Sequence, residues 1–258
     1  MTDLGSGTLT VCRPWTAAAA TMVIGVAVGY ALHAIARTVP PPGETEAALI
    51  GPRVRAWYRS VIAPVEASLA AAGVHPDLLT WAQLGVSVLA GAAFWVGWLF
   101  VAGWLTILAG TLDILDGGVA RRGGTAGPRG ALLDSLLDRY AEFATFLGLG
   151  AFFRASWTLL PVAVAAFGSL MVSYTRARAE GLGLEVRVGR AQRPERYVVL
   201  GFGAWGSDLV AHLGCGLTGH GSQVVLEVAV VLLAGLSLWT AVERAWHAAR
   251  TLGEPTSG

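Results

Sequence analysis

Four aspartates recur at fixed intervals between Asp113 and Asp138, and they are the side chains in this chain best suited to chemistry. The complete pattern reads Asp113-x2-Asp116-Gly117-x2-Ala120-Arg121-x8-Gly130-x3-Asp134-x3-Asp138. Its surroundings are apolar, because residues 78–112 carry no charge and residues 143–170 carry only Arg154. Carboxylates beside membrane-spanning sequence are costly unless they are neutralised, and clustered oxygen ligands favour divalent cations. The pattern therefore predicts a metal site near the edge of a membrane.

Helical spacing puts these positions on two stripes, one on each of two consecutive helices. The first stripe has the intervals i, i+3, i+4 and i+7 and consists of Asp113, Asp116, Gly117 and Ala120. The second has the intervals i, i+4 and i+8, follows a Gly/Pro/Arg-rich turn at 122–129, and consists of Gly130, Asp134 and Asp138. If the stripes face each other, the carboxylates converge and can hold two cations, which in paired catalytic sites lie about 3.5–4 Å apart.

The pattern resembles the signature of the CDP-alcohol phosphatidyltransferases, integral membrane enzymes that make phospholipids. All eight specified positions of that signature are filled here. The resemblance implies an all-α protein in which an alcohol attacks the lipid-side phosphorus of CDP-diacylglycerol and expels CMP. Mg²⁺ or Mn²⁺, two ions per site, is the expected cofactor. Membrane prenyltransferases also bind diphosphates through aspartates, but their acid clusters lack the glycines and the Ala-Arg pair.

Roles follow from the charges and from this reaction. The expected metal ligands are Asp113, Asp116, Asp134 and Asp138, of which Asp138 is also the expected general base. The nucleotide and diphosphate site is expected to include Gly117, Ala120, Arg121 and Gly130, with Arg121 offering a phosphate-binding fork.

The segment that opens the first span of the bundle has two readings. It runs HPDLLT from His75 to Thr80, where many family members have Pro-Asn-x2-Thr, so that Asp77 replaces the Asn. In one reading Thr80 contacts the nucleotide. In the other, the segment only starts a helix, with Asp77 as its cap.

A second charged region, at residues 173–196, bears on which alcohol accepts the lipid. Residues 173–181 read SYTRARAEG and residues 192–196 read QRPER, and both resemble the bacterial phosphatidylinositol-phosphate synthase branch, which uses inositol 1-phosphate. The resemblance implies that the acceptor's phosphate is held by Ser173, Arg176, Arg193, Arg196 and Arg244. The branch commonly has Lys at the position of Arg176 and an acid at that of Gln192. Glycerol 3-phosphate, free inositol and serine are alternative acceptors, and arginines that only bind lipid headgroups are the alternative to an acceptor site.

Composition predicts a membrane protein, since 54% of residues are hydrophobic and 14% charged. Seven apolar stretches approach the roughly 20 residues needed to cross a bilayer, at 16–36, 78–97, 99–119, 130–153, 157–175, 196–213 and 223–243. The last six are expected to form a transmembrane catalytic bundle within a domain at 46–258, preceded by an amphipathic interfacial helix at 50–72. Residues 1–45 are expected to hold one extra transmembrane helix and a linker. A cleaved signal peptide is the alternative for 16–36.

The distribution of arginines predicts the orientation of the protein in the membrane. Arginines concentrate in alternate turns, so the positive-inside rule places those turns and the C-terminus in the cytoplasm. The protein is thus expected in the bacterial cytoplasmic membrane with its active site facing the cytoplasm, as a homodimer by resemblance, among membrane lipids. A net charge of +1 argues against nucleic-acid binding. A small-molecule transporter is the competing class, which usually shows internal repeats that this chain lacks.

Overall fold

The computed structural model describes residues 51–184, 188–189, 192–213 and 223–253, and no strand occurs among them. Their helices are α1 Pro52–Ala71, α2 Pro76–Trp95, α3 Leu99–Arg122, α4 Pro128–Phe152, α5 Leu159–Glu180, α6 Arg193–Leu213 and α7 Val224–Gly253. The predicted all-α class is confirmed. The proposed N-terminal span at 16–36 and the domain boundary at 45–46 lie outside the described residues.

Prolines begin three of these helices, because their fixed φ suits the first turn and their missing N–H is not needed there. They are Pro52 of α1, Pro76 of α2 and Pro128 of α4. The cap of α2 is His75, whose Nδ1 accepts a hydrogen bond from the Asp77 backbone N–H at 3.3 Å. The prediction that Asp77 caps this helix is wrong, because its carboxylate pairs with Arg129 at 3.1 Å instead.

Four of the described helices, α2, α3, α5 and α7, are long and apolar enough to cross a membrane. Helices α4 and α6 have 25 and 21 residues but carry several charged side chains, including Asp138, Glu142 and Arg196. These three side chains are directed into the protein, where they make ion pairs. Spanning by α4 and α6 therefore stays a prediction.

The amphipathic helix predicted at 50–72 corresponds to α1, which packs against α3. Its Ile62 is buried against Leu115 and Val119, and Glu66 pairs with Arg122 at 3.1 Å. This contact places α1 beside the C-terminal turn of α3, where the aspartate pattern lies.

The bundle is held by six further pairs of neighbouring helices: α2 with α3 and α4, α5 with α4 and α7, and α6 with α3 and α7. Their shared apolar core includes Phe94, Leu149, Phe153, Leu226 and Val230. Large apolar side chains such as Leu89, Phe167 and Trp239 point outward. An outward apolar surface is expected of helices surrounded by lipid.

Helices α2 and α4 approach most closely at a pair of glycines. A Cβ on Gly91 would overlap the carbonyl oxygen of Ala144, and a Cβ on Gly148 would overlap the backbone of Gly91. Small residues at such crossings let two helix backbones touch. The crossing presses the acidic face of α4 against α2.

We predict that Gly91→Ala lowers stability by about 1–3 kcal/mol, the usual cost of overpacking. Thermal unfolding in detergent would measure this change. The matched control is Gly85→Ala on the same helix, where an added Cβ meets nothing within 4 Å. Equal melting temperatures for the two variants would contradict the close crossing.

Candidate active site

Helices α3 and α4 bring three of the four predicted aspartates together. One carboxylate oxygen from each of Asp113, Asp134 and Asp138 lies within 4.8 Å of the others. Asp138 is buried, and the other two are half-buried. Asp113 of the first predicted stripe therefore faces Asp134 and Asp138 of the second, and we call these three residues the acid cluster.

Asp116 lies outside this cluster, with both carboxylate oxygens engaged. Thr80 donates its hydroxyl to Asp116 Oδ2 at 2.9 Å, and the Gly117 backbone N–H donates to Oδ1 at 2.5 Å. Thr80 thus orients an aspartate of the pattern, which neither reading of its segment anticipated. Its contact with a nucleotide and the metal-ligand role of Asp116 stay predictions.

The acid cluster fits a divalent cation. Its donors are all carboxylate oxygens, the ligands that Mg²⁺ and Mn²⁺ prefer. One of them, Asp134 Oδ1, is buried without a hydrogen-bond partner among the described residues. A buried carboxylate oxygen left unpaired is costly unless a cation or donor satisfies it.

Gln83 of α2 supports the acid cluster and was missed by the sequence analysis. This fully buried side chain directs its Nε2 to Asp138 Oδ1 at 2.9 Å and to Asp113 Oδ1 at 3.3 Å. The Tyr197 hydroxyl lies 3.3 Å from the same nitrogen. The sequence did hold a signal, because Thr80, Gln83 and Ser87 recur at three- and four-residue intervals on a helix whose one charged residue is Asp77. The structure buries all three.

Arg193, the first residue of α6, supplies positive charge to the cluster. Its Nη1 lies 3.1 Å from Asp113 Oδ1 and also pairs with Asp138 Oδ2. The guanidinium therefore bridges α3 and α4. Its charge offsets part of the repulsion between the two carboxylates.

The predicted diphosphate-binding positions lie around the α3–α4 turn. Arg121 is exposed and folds back along α3, so that its Nη1 comes within 3.1 Å of a Cβ placed on Gly117. Ala120 is half-buried, and a Cβ on Gly130 would meet nothing within 4 Å. An added side chain would therefore meet open space at Gly130 but the Arg121 guanidinium at Gly117.

A cavity of about 410 Å³ gathers every residue predicted for the acceptor site. Its wall contains Ser173, Arg176, Arg193, Arg196 and Arg244, together with Asp113, Arg139, Val172, Gln192 and Pro194. Arg139 had not been predicted, although it directly follows Asp138 in the sequence. Five arginines and one residue of the acid cluster therefore share a single cavity.

These arginines are held in different ways. Arg196 donates to both carboxylate oxygens of Glu142, at 2.5 and 3.2 Å. Arg244 donates to the backbone carbonyls of Val188 and Val172, at 2.7 and 3.0 Å. Arg176 pairs with Glu180 one turn along α5, at 2.8 Å, and is largely exposed.

Helix α1 reaches the same region from the other side. Arg55 donates to Gln192 Oε1 at 3.2 Å and to the carboxylate of buried Glu195. These contacts join α1 to the side chains on either side of Arg193. The interfacial helix therefore helps to position the arginines of α6.

A sequence model of the CDP-alcohol phosphatidyltransferases matches residues 73–233. The chain belongs to this family. It is therefore a transferase, and its apolar helices make it a multi-pass membrane protein.

Curated relatives align with most of this chain. The phosphatidylinositol phosphate synthase of Cutibacterium acnes is 34% identical over 196 residues, covering 74% of this chain and 93% of that protein. The archaetidylinositol phosphate synthase of Methanothermobacter thermautotrophicus is 34% identical over 169 residues, covering 65% and 80%.

Solved structures agree in fold. Mycobacterium tuberculosis phosphatidylinositol phosphate synthase with CDP-DAG bound superposes with a TM-score of 0.62 at 28% identity, over 76% of this chain and 96% of that one. The same enzyme in complex with manganese and citrate gives 0.61 at 30% identity, over 73% and 88%.

We predict that Gln83→Leu lowers kcat by about 10–100-fold, the usual effect of removing a residue that orients metal ligands. The reason is that Asp113 and Asp138 lose a common donor. Initial rates of CMP release would measure kcat. Ser87→Ala is the matched control, since it lies on the same buried face of α2, and its kcat should match that of the wild type. A Gln83→Leu enzyme with wild-type kcat would exclude this positioning role.

Proposed function

We propose that the protein transfers the phosphatidyl group of CDP-diacylglycerol to inositol 1-phosphate and releases CMP. The observation that carries this proposal is the cavity in which five arginines face Asp113 of the acid cluster. A phosphorylated acceptor needs fixed cations, and arginine binds phosphate through paired N–H groups. The names of the synthases similar to this chain support inositol phosphate as the acceptor.

On the donor side, two Mg²⁺ or Mn²⁺ ions would be held by Asp113, Asp116, Asp134 and Asp138. When bound, such ions neutralise the diphosphate oxygens and assist departure of CMP. The CDP-DAG and manganese complexes of the mycobacterial synthase support this assignment. Gly117, Ala120 and Gly130 would let the nucleotide approach the helix backbones, with Arg121 and Thr80 at the edges of its site.

On the acceptor side, Arg176, Arg193 and Ser173 would bind the phosphate. Arg196 and Arg244 would also bind the phosphate, and their contacts with Glu142 and with two backbone carbonyls would fix them in the cavity wall. Anchoring the phosphate directs a hydroxyl of the acceptor toward the acid cluster. Positioning of this kind supplies much of the rate in phosphoryl-type transfer.

Asp138 would act as the general base. It accepts the proton of the attacking hydroxyl as the new bond from that oxygen to the lipid-side phosphorus forms. The bond from this phosphorus to the oxygen of CMP then breaks, and CMP leaves with the electron pair. Gln83 would hold Asp138 in place through its Oδ1.

The active site would face the cytoplasm of a bacterium. In a bundle of alternating helices, the ends that bear the cavity arginines lie on one side, as the positive-inside rule requires. We further propose that α4 and α6 complete a six-span bundle in a domain at 46–258, that residues 1–45 add one spanning helix and a linker, and that the enzyme is a homodimer.

The direct test is an assay of CMP release in which purified protein in detergent is given CDP-diacylglycerol, Mg²⁺ and each of a panel of alcohols. We expect CMP release with inositol 1-phosphate and not with free inositol or serine. Release with glycerol 3-phosphate alone would keep the phosphate site but change the acceptor. Release only with an unphosphorylated alcohol would contradict the role given to the arginine-lined cavity.

We predict that Arg176→Gln raises the KM for inositol 1-phosphate about tenfold, the effect of losing one charge-assisted hydrogen bond. The KM for CDP-diacylglycerol should change little, because Arg176 lies in the acceptor cavity. Arg178→Gln removes the same charge two residues away, at an exposed position that does not line the cavity. Equal acceptor KM values for the two variants would contradict the assignment.

A further inference from the structure

Arg193 contacts the acid cluster and also lines the acceptor cavity. Its guanidinium pairs with Asp113 and Asp138, and the same side chain lines the arginine-rich cavity. Those two carboxylates are also members of the acid cluster, which fits a divalent cation. Arg193 and a cation would therefore contact the same two carboxylates.

A guanidinium and a divalent cation at the same two carboxylates repel each other. A guanidinium in contact with a carboxylate uses one of its lone pairs and repels a second cation nearby. A divalent ion that binds Asp113 and Asp138 therefore weakens their contacts with Arg193. Once released, the Arg193 side chain has the cavity beside it.

The surroundings of Arg193 suit such a movement of the side chain alone. Arg55 contacts the side chains of Gln192 and Glu195, which lie on either side of Arg193 in the sequence. Gln83 contacts both Asp113 and Asp138, so these carboxylates keep an orienting donor without Arg193. In contrast, the charged groups of Arg196 and Arg244 are held by partners outside the acid cluster.

We infer that Arg193 couples the two binding events. Divalent cations displace its guanidinium from Asp113 and Asp138, and it then turns toward the phosphate group of the acceptor. Binding free energies are reciprocal, so an acceptor phosphate that attracts Arg193 tightens cation binding by the same factor. This inference rests on the proposed function for the phosphate in the cavity. It predicts that the acceptor binds more strongly when cations are bound than when they are absent.

The first test measures Mn²⁺ binding to the full chain in detergent, from the electron paramagnetic resonance signal of free Mn²⁺. Arg193→Gln should bind Mn²⁺ about tenfold more tightly than the wild type, within the usual range of coupling between sites. The control is Arg176→Gln, which removes one charge from the same cavity without touching the acid cluster. It should change the affinity less than about threefold. Unchanged or weaker Mn²⁺ binding by Arg193→Gln would overturn the inference.

The second test needs no variant and covers the case in which Arg193→Gln does not fold. Sulfate serves as a probe, because it is a dianion of phosphate shape that does not precipitate Mn²⁺. Sulfate should tighten Mn²⁺ binding to the wild-type protein about fivefold or more after a protein-free titration is subtracted. Where Arg193→Gln does fold, it should lose this effect. No sulfate effect on the wild type would overturn the coupling. Neither test involves CMP release, so failure of the proposed reaction would be seen separately.

Discussion

Three carboxylates lie close together inside a helix bundle, and the other residues of the site must balance their negative charge. Asp113, Asp134 and Asp138 bring carboxylate oxygens within 4.8 Å of one another, in a bundle whose helices expose large apolar side chains such as Leu89 and Trp239. Buried carboxylates are stable only when hydrogen bonds and opposite charges replace the water that they have lost. The remaining features of the site supply these partners: an amide from α2, a guanidinium from α6, and the cations that an all-oxygen donor set favours.

This need for charge balance also explains why donor and acceptor sites adjoin. The arginine that neutralises the acid cluster lies in the wall of the acceptor cavity, so the chemistry of the cluster and the binding of a phosphorylated alcohol share one side chain. The interfacial helix α1 takes part through Arg55, which holds the segment that carries this arginine. Helix α1 is thus linked to the acceptor side of the site as well as to the end of α3.

The aspartate pattern predicted much of this arrangement, because i+3 and i+4 intervals place side chains on one helix face whatever surrounds them. The acceptor residues came from a resemblance, and the cavity on α5, α6 and α7 brings them together. Gln83 could not be predicted from charge, since its role depends on the Gly91–Gly148 crossing that presses α4 onto α2. The ion pair of Asp77 could not be predicted from the sequence either, because its partner, Arg129, is 52 residues away along the chain.

The most direct test of the account asks whether a cation held by the acid cluster contacts the donor's diphosphate. Electron–nuclear double resonance on Mn²⁺-loaded protein with CDP-diacylglycerol would detect coupling between the bound Mn²⁺ and phosphorus-31. We predict this coupling in the wild-type protein and its loss or strong reduction in Asp134→Asn, whose side chain is nearly the same size. Bound Mn²⁺ without phosphorus coupling, or coupling unchanged in Asp134→Asn, would contradict it.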